Sequence, residues 1–587
     1  MRFLKTSALL LVLLMLLSTV ISCNPSNGAG ETTEPLDTNE EDLNQGIMIN
    51  GNPISKYQIV CDSKLKSNAM RYKGLIYSFC QASLSVSEAE TDGKLSIKLL
   101  IDPSIAFDRC NIKVVGNELH IRAATADMFG LAIQNFTKLL RDLNGIFMEG
   151  YETDLIMKAT PIENLRGAEV TMVGETDKNA VSYRVGETAT FNCALYSGGS
   201  LVGVPYFYYE LYDETTGQIT SDFIDGSKGG FSVSASPKAA GFVYLSVWIY
   251  DENYNKMGAS SGLTNIIDED INYCGAAGFN IEELRTAGTI PSDFDAYWTE
   301  QVNMLYSSPL EIVKMTDLTT EGGAYNTYYV ALRCEVDEDS TLATGYLTYP
   351  KNQSNLGLKM YFNGYGANLP TPIYEDNTAV LFMCAHSIEV DRADSKLDTY
   401  NESYWKSVQS KFGSAGFEAE KNSDRDTVYF KGMILRNLQG ARFLTEYFGE
   451  NGLNLWDGKT FVCQGGSMGA FQSLTVAALN PDVSKAKVSV PWMCDLKGDS
   501  NGNLRKKSTF RMSFDEALMY YDTTSFAHLI DCEVEIECGL GDQLCPASGI
   551  TILYNQLNCK KMITFIQNRS HSYVPSDSGR FVLQENE

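Results

Sequence analysis

Gly465-Gly466-Ser467-Met468-Gly469 constrains this chain more than any other stretch. It fits G-x-S-x-G, and its flanks supply the setting that pattern needs. Upstream, Lys459-Thr460-Phe461-Val462-Cys463 reads as a short buried strand. Downstream, Ala470 to Leu479 reads as a helix. A strand, a glycine-flanked serine and a helix make a sharp turn that lifts the serine hydroxyl above a sheet edge. The glycines permit the strained backbone. The helix N-terminus offers backbone N–H groups to a developing negative charge.

A nucleophilic serine needs a base, and the base needs an orienting acid. The chain has four histidines: His120, His386, His528 and His571. Where a strand–serine–helix turn carries the nucleophile, the acid and then the histidine follow it in the chain. Only His528 and His571 follow Ser467. His571 sits in the polar loop Asn568 to Tyr573, just after the strand-like Met562 to Ile566. His528 has the apolar neighbours Phe526, Ala527, Leu529 and Ile530, so a hydrogen-bonded core histidine is expected there. The acid candidate is Asp542, in Gly539-Leu540-Gly541-Asp542-Gln543-Leu544-Cys545-Pro546. Two glycines and a proline after the strand-like Cys532 to Cys538 mark a tight loop at a strand's carboxyl end. A turn aspartate capping the next helix is the plainer alternative. Asp522 and Asp531 are weaker rivals, because no strand-then-glycine turn presents them.

These residues resemble the acetyl xylan esterase and cephalosporin C deacetylase family of carbohydrate esterases, members of the α/β-hydrolase superfamily. The resemblance covers roughly residues 276–580. Pro291 to Trp298 resembles the family's first helix, and Gly345 to Pro350 its early hairpin. Tyr361-Phe362-Asn363-Gly364-Tyr365-Gly366 is similar to the strand end whose tyrosine helps form an oxyanion hole. Gly465 to Ala470 is similar to the family's G-G-S-Q-G-G, and Gly539 to Pro546 to its G-L-x-D-x-x-C-P. The resemblance implies Ser467 as nucleophile, Asp542 as acid, His571 as base, and the Tyr365 and Met468 backbone as oxyanion hole. It implies a serine esterase acting on acetylated carbohydrate, with no cofactor. Met468 replaces the family's glutamine, and a backbone donor survives that change. The family's R-G-Q motif is absent, and the matching strand end reads Met383-Cys384-Ala385-His386-Ser387. His386 is therefore a candidate for supporting the site or contacting substrate, with a structural histidine at a strand end as the alternative. Two other readings stay open: a non-catalytic glycan-binding lipoprotein on a hydrolase fold, and a serine carboxylesterase or peptidase of other specificity.

The N-terminus bears on location. Met1 to Lys5 is a short basic stretch, Ala8 to Leu17 is nearly all apolar, and Ser22 precedes Cys23. This is a secretory signal, and it resembles a bacterial lipobox with Cys23 as the lipidated residue. An uncleaved anchor or a simple cleaved signal is the alternative. The expected location is extracytoplasmic, as a membrane-anchored bacterial lipoprotein. Acidic and polar residues from Asn24 to about Asn50 read as a flexible tether.

Composition excludes some partners. The 587 residues carry a formal net charge of −26, with no basic cluster, so nucleic-acid binding is disfavoured. A neutral glycan is compatible with that charge. Of the 14 cysteines, none shows C-x-x-C spacing, and histidine is too scarce for a histidine cluster, so no catalytic metal is expected. Cys545 is expected to brace the acid loop, by packing or by a disulfide.

Length points to about three folded domains. Alternation in Leu95 to Ile101 and Asn117 to Ala124 predicts strands, and Asp127 to Leu143 has helical apolar spacing. This part weakly resembles the small α/β domain that precedes the catalytic barrel of some glycoside hydrolases. Tyr206 to Tyr212 and Gly241 to Tyr250 predict strands between glycine turns, as in an immunoglobulin-like sandwich. A spacer role is favoured over glycan binding there, because the sequence shows no exposed aromatic triad. The expected class is α/β, with this order: signal peptide 1–22, tether 23–50, small α/β accessory domain 51–165, immunoglobulin-like β-sandwich 166–275 and α/β-hydrolase domain 276–587.

Overall fold

Alternating apolar residues in Leu95–Ile101 and Glu118–Ala123 pair as neighbouring parallel strands of a six-stranded sheet. Helices Lys66–Cys80 and Ala126–Asp142 cover it, and Tyr72, Phe129 and Phe136 fill the space between. The computed structural model describes residues 46–585 except 103, 107, 166–168, 259–272, 337–340, 366–368, 392–405, 407–409, 411–421, 501–513 and 576–578. The expected signal, Cys23 and nearly all of the tether lie outside the described residues. Residues Ile47 to Glu587 form one unit. Met48–Ile49 pairs with Asn52–Pro53 and with Ile146–Phe147, and Ile47 and Ile49 are buried. Ile47 to Asn50 thus belong to a paired and buried segment, although the tether is expected to run through residue 50.

Two antiparallel sheets follow. One joins Thr171–Thr176, Ala189–Ser197, Ser200–Gly203 and Gly230–Ala235, with Thr160–Pro161 at its end. The other comprises β1 (Tyr206–Asp213), β2 (Gln218–Asp225), β3 (Gly241–Tyr250) and β4 (Tyr273–Phe279), in the order β2-β1-β3-β4. Phe191, Leu195, Phe207, Leu211, Val243, Leu245 and Val247 form the core between the sheets. Most alternate residues of β1 and β3, Tyr206, Tyr208, Tyr212, Phe242, Tyr244, Trp248 and Tyr250, are aromatic, with Glu210 and Ser246 among them, so the second sheet has two occupied faces. On its outer face, Phe242 and Tyr244 join the core of the C-terminal part of the chain. β4 runs to Phe279, past the expected boundary at 275.

The C-terminal part is built on a ten-stranded sheet. Its strands are β5 (Ile312–Asp317), β6 (Tyr325–Arg333), β7 (Leu342–Pro350), β8 (Leu356–Phe362), β9 (Thr378–Met383), β10 (Trp456–Gly466), β11 (Lys485–Ser489), β12 (Glu533–Gly539), β13 (Lys561–Ile566) and β14 (Arg580–Glu585). They lie in the order β5-β6-β7-β9-β8-β10-β11-β12-β13-β14. From β9 to β13 every neighbouring pair is parallel, and the flanking pairs are antiparallel. Parallel strands need crossover connections, and helices α1 (Phe294–Ser307), α2 (Tyr429–Phe448), α3 (Met468–Leu479) and α4 (Ala547–Gln556) pack on the sheet. This is an α/β-hydrolase-type fold. It sets the carboxyl ends of β8, β10, β12 and β13 along one edge, where functional loops of such sheets gather. Among the described residues no helix is long and apolar enough to cross a membrane.

Candidate active site

Ser467 joins β10 to α3 with φ 56° and ψ −120°, outside the ordinary allowed regions for a residue with a side chain. Such backbone strain is a mark of functional sites. The two outer glycines of the motif make the turn sterically feasible. A Cβ on Gly465 would come 2.4 Å from the Gly469 carbonyl oxygen, and one on Gly469 would come 2.3 Å from that of Phe362. The Ser467 N–H donates to the Ser489 carbonyl on β11 at 2.9 Å, pinning the turn to the sheet. Met468 sends its side chain into the core. Its N–H is the first of α3, where no helical carbonyl lies ahead of it.

The loop after β8 lies against this turn. A Cβ on Gly364 would sit 3.8 Å from Ser467 Cβ. Gln472 of α3 donates from Nε2 to the Asn363 carbonyl at 3.0 Å, and its Oε1 accepts from Asn437 of α2 at 3.1 Å. This buried chain fixes the segment that carries Tyr365, whose ring is half-buried. Sequence reasoning misses Gln472 and Asn437, because nothing in their neighbourhood marks a buried polar residue.

β12 and β13 deliver the other two groups. Asp542 is 1% exposed. Its Oδ1 accepts from the N–H groups of Leu544 at 2.8 Å and Cys545 at 2.9 Å. Its Oδ2 accepts from His571 Nδ1 at 2.9 Å. The carboxylate is therefore held by its own turn and has one oxygen left for the imidazole. The Gly541 N–H donates to the Arg569 carbonyl at 3.0 Å, tying the two loops at their bases. Ser570 and Tyr573 close the histidine turn: the Ser570 N–H donates to the Tyr573 carbonyl, and the Tyr573 N–H to Ser570 Oγ. Burial works to lower the His571 value, but the Asp542 hydrogen bond and then Cys545 outweigh it and raise it to about 10. Ser467 Oγ and His571 share no hydrogen bond among the described residues, and such bonds often tighten only when substrate binds.

The second antiparallel sheet supports both loops through β4. Gln567, fully buried, donates from Nε2 to the Ala276 carbonyl at 2.7 Å and accepts the Ala276 N–H on Oε1 at 3.2 Å. Its amide thus does what a neighbouring strand would do. Asn568 Oδ1 accepts the Cys274 N–H at 3.1 Å, and Gln543, next to Asp542, donates to Ser246 Oγ of β3 at 3.2 Å. Gly275 is required by this arrangement, since a Cβ there would lie 2.2 Å from Gln567 Oε1.

The remaining candidates sit elsewhere. His386, at the end of β9, is 1% exposed and bonds Tyr429 through Nδ1. Burial, with the nearby Arg436 charge, lowers it to about 3, so it is neutral. His528 is exposed and pairs with Asp295 at 2.8 Å, which corrects the expectation of a core histidine. Its apolar neighbours face inward from a short helical turn while its own ring points to solvent. Asp522 is fully buried and caps a helix through the Thr524 N–H, and it also accepts from Leu496. Asp531 is exposed. The 13 described cysteines are free thiols, so Cys545 braces the acid loop by packing and through its N–H. Asp542, Cys545 and His571 also bring three metal-ligating atoms within 4.8 Å of one another. A cation held there would take the Nδ1 and Oδ2 atoms that now bond each other.

A family model described as Acetyl xylan esterase (AXE1) matches residues 279–582, more than half of the chain. The chain belongs to the acetyl xylan esterase family. Among curated relatives of this acetyl xylan esterase family member, Acetyl esterase Axe7A of Xylanibacter ruminicola is 27% identical over 300 residues. That match covers 48% of this chain and 64% of Axe7A, so the chain spans under two thirds of that relative's length. Two solved acetyl xylan esterases are each 20% identical and cover 50% of this chain. The enzyme from Paenibacillus sp. R4 has a TM-score of 0.39 over 94% of its length. That from Thermoanaerobacterium sp. JW/SL YS485 has a TM-score of 0.38 over 93%.

Proposed function

We propose that this protein is a serine esterase that removes acetyl groups from acetylated glycans or oligosaccharides through an acetyl-enzyme intermediate. One observation carries the reading: buried Asp542 pairs with His571 at the sheet edge where Ser467 stands on its strained turn. In this reading Ser467 Oγ attacks the acetyl carbonyl while His571 Nε2 takes its proton. The N–H groups of Met468 and Tyr365 receive the oxyanion. His571 returns the proton to the departing sugar oxygen. Water then cleaves the acetyl-enzyme by the reverse path. Asp542 fixes the tautomer and stabilises the imidazolium. The residues needed for this are all side chains and backbone of the chain, with no cofactor. The test is acetate release from a panel of acetylated oligosaccharides, with a small chromogenic acetate as control. No release from any of them sinks the proposal.

The acid–base chemistry sets a pH dependence. His571 accepts a proton only when neutral, so kcat/KM rises with pH as the ring deprotonates. With His571 raised to about 10, that limb lies well above the ordinary histidine value of 6.5. Cys545→Ala removes one of the two partners that raise it, and the limb is expected to move to lower pH. A limb that stays in place in the variant removes Cys545 from this account.

The same reading assigns 276–587 as the catalytic α/β-hydrolase domain, 166–275 as an immunoglobulin-like sandwich and 51–165 as a small α/β accessory domain, with β4 carrying the sandwich on to Phe279 and Ile47 to Asn50 added to the accessory domain. It assigns 1–22 as a signal peptide and Cys23 as a lipidated residue that tethers the body to a bacterial membrane outside the cytoplasm. Several acyl chains anchor stably where one does not. Cys23→Ser is expected to move the protein from the detergent phase to the aqueous phase, or to leave an uncleaved precursor, with esterase activity retained. Mass spectrometry of a wild-type N-terminus that begins elsewhere and carries no lipid would refute the anchor.

A further inference from the structure

The outer face of the β2-β1-β3-β4 sheet ends in an aromatic surface that continues to the histidine loop. Residues paired across antiparallel strands share a face. Tyr208 of β1 pairs with Phe223 of β2 and with Trp248 of β3, and Tyr206 pairs with Tyr250. Their rings touch in series. Tyr208 lies 4.8 Å from Phe223 and 5.7 Å from Trp248, ring centre to ring centre. Phe223 lies 5.1 Å from both Tyr250 and Tyr254. Tyr254, from the turn after β3, stacks on Tyr206 at 4.6 Å with 11° between the planes. Phe223 is 39% exposed and Tyr254 54% exposed, so two rings of this set face solvent.

The same face reaches the site. Ser246, Trp248 and Tyr250 are alternate residues of β3 and point the same way. Ser246 bonds Gln543, the residue after Asp542. Tyr573, two residues after His571, packs against the cluster that Trp248 forms with Cys274, as Tyr208 and Tyr250 do. From Ser246 to Tyr250 the strand advances about 13 Å, so the aromatic face runs on from the acid loop along β3 toward the exposed rings.

We propose that this face is a binding platform for the glycan chain whose acetyl groups are removed at Ser467, an inference that rests on the esterase reading above. Flat aromatic faces suit the C–H faces of sugar rings, and the polar groups beside them suit hydroxyls. Glu210 accepts from the Tyr208 hydroxyl at 3.1 Å, and Asp225 stands opposite Tyr206 on the same face. A face of aromatic rings rimmed by carboxylates fits an uncharged polyhydroxylated chain better than an anionic one. Continuity with the His571 loop argues for a chain that occupies the platform and the site together. The sandwich is then part of the substrate site as well as its support.

The test compares chemically acetylated xylobiose and xylohexaose with a small chromogenic acetate. In the wild type, KM is expected to fall from the short to the long oligosaccharide. In Phe223→Ala/Tyr254→Ala, the ratio of kcat/KM for xylohexaose to that for the small acetate is expected to fall about tenfold, the scale of one aromatic contact. Thermal unfolding checks that the variant folds, and the milder Phe223→Leu and Tyr254→Ser single variants are expected to fall in between. Ser467→Ala protein is expected to be retarded by soluble xylan in affinity electrophoresis, and to lose the retardation when Phe223 and Tyr254 are also replaced. An unchanged ratio overturns the platform. So does light scattering that shows a wild-type dimer split by the two substitutions, because the face then belongs to a second copy. A protein that hydrolyses none of the three esters and is still retarded through these rings keeps the platform and loses the esterase.

Discussion

Ser467→Ala is expected to fold normally and to lose acetyl-ester hydrolysis by about 10⁶-fold, the usual scale for a triad nucleophile. The hydroxyl stands on a turn whose shape is set by the glycines and by the Ser467 N–H bond to Ser489, none of which needs the side-chain oxygen. Alanine at that φ keeps the strain already present and adds no atom. The measurement is initial-rate hydrolysis of a chromogenic acetate and of an acetylated oligosaccharide, alongside circular dichroism and thermal unfolding. A folded variant with near-normal rates removes Ser467 from the chemistry.

Asp542→Asn is expected to slow the reaction by about 10⁴-fold, because an amide that donates toward Nδ1 selects the wrong imidazole tautomer. The packing changes little. Asn can still accept the Leu544 and Cys545 N–H groups through its oxygen, and the atom left facing His571 is then the NH₂. Asp522→Asn tests the assignment from the other side. That carboxyl is fully buried, accepts several backbone N–H groups and is raised by burial to about 6. Its replacement should show in the melting temperature far more than in the rate. If Asp522 or Asp531 proved the rate-sensitive position, the third member of the triad would have to be reassigned.

The features of this molecule that depend on neighbours in the chain are legible in its amino-acid sequence. Strain at Ser467 follows from glycines on both sides, and the acid and histidine follow from strand ends in a fixed order. Contacts between distant segments are not legible in this way. Gln472 and Gln567 are ordinary glutamines in sequence, and only the fold reveals that their amides satisfy backbone groups of other segments. β4 crosses the domain boundary expected at 275, and no strand is predicted there because Tyr273-Cys274-Gly275-Ala276-Ala277-Gly278-Phe279 lacks the β-branched residues that mark one. Its small residues are explained by the side chains that crowd it, Gln567 above all. His528 differs from expectation for a related reason. Apolar neighbours show that a segment is buried, but in a tight helical turn one position still faces out. The aromatic surface leaves no mark in the sequence, because alternation in β1 and β3 is masked when one face carries core apolar residues and the other carries rings.

The hold of Gln567 on Ala276 bears on how such a chain can change through descent. Recombination that trades domains usually leaves function intact when the cut falls between independent bodies. Here a cut at the end of the sandwich would pass through the strand that steadies the acid and histidine loops. Any lineage that shed or exchanged the sandwich would have to rebuild those loops in the same event. The two parts are therefore expected to be inherited as a pair, with Gly275 and Gln567 changing together or not at all.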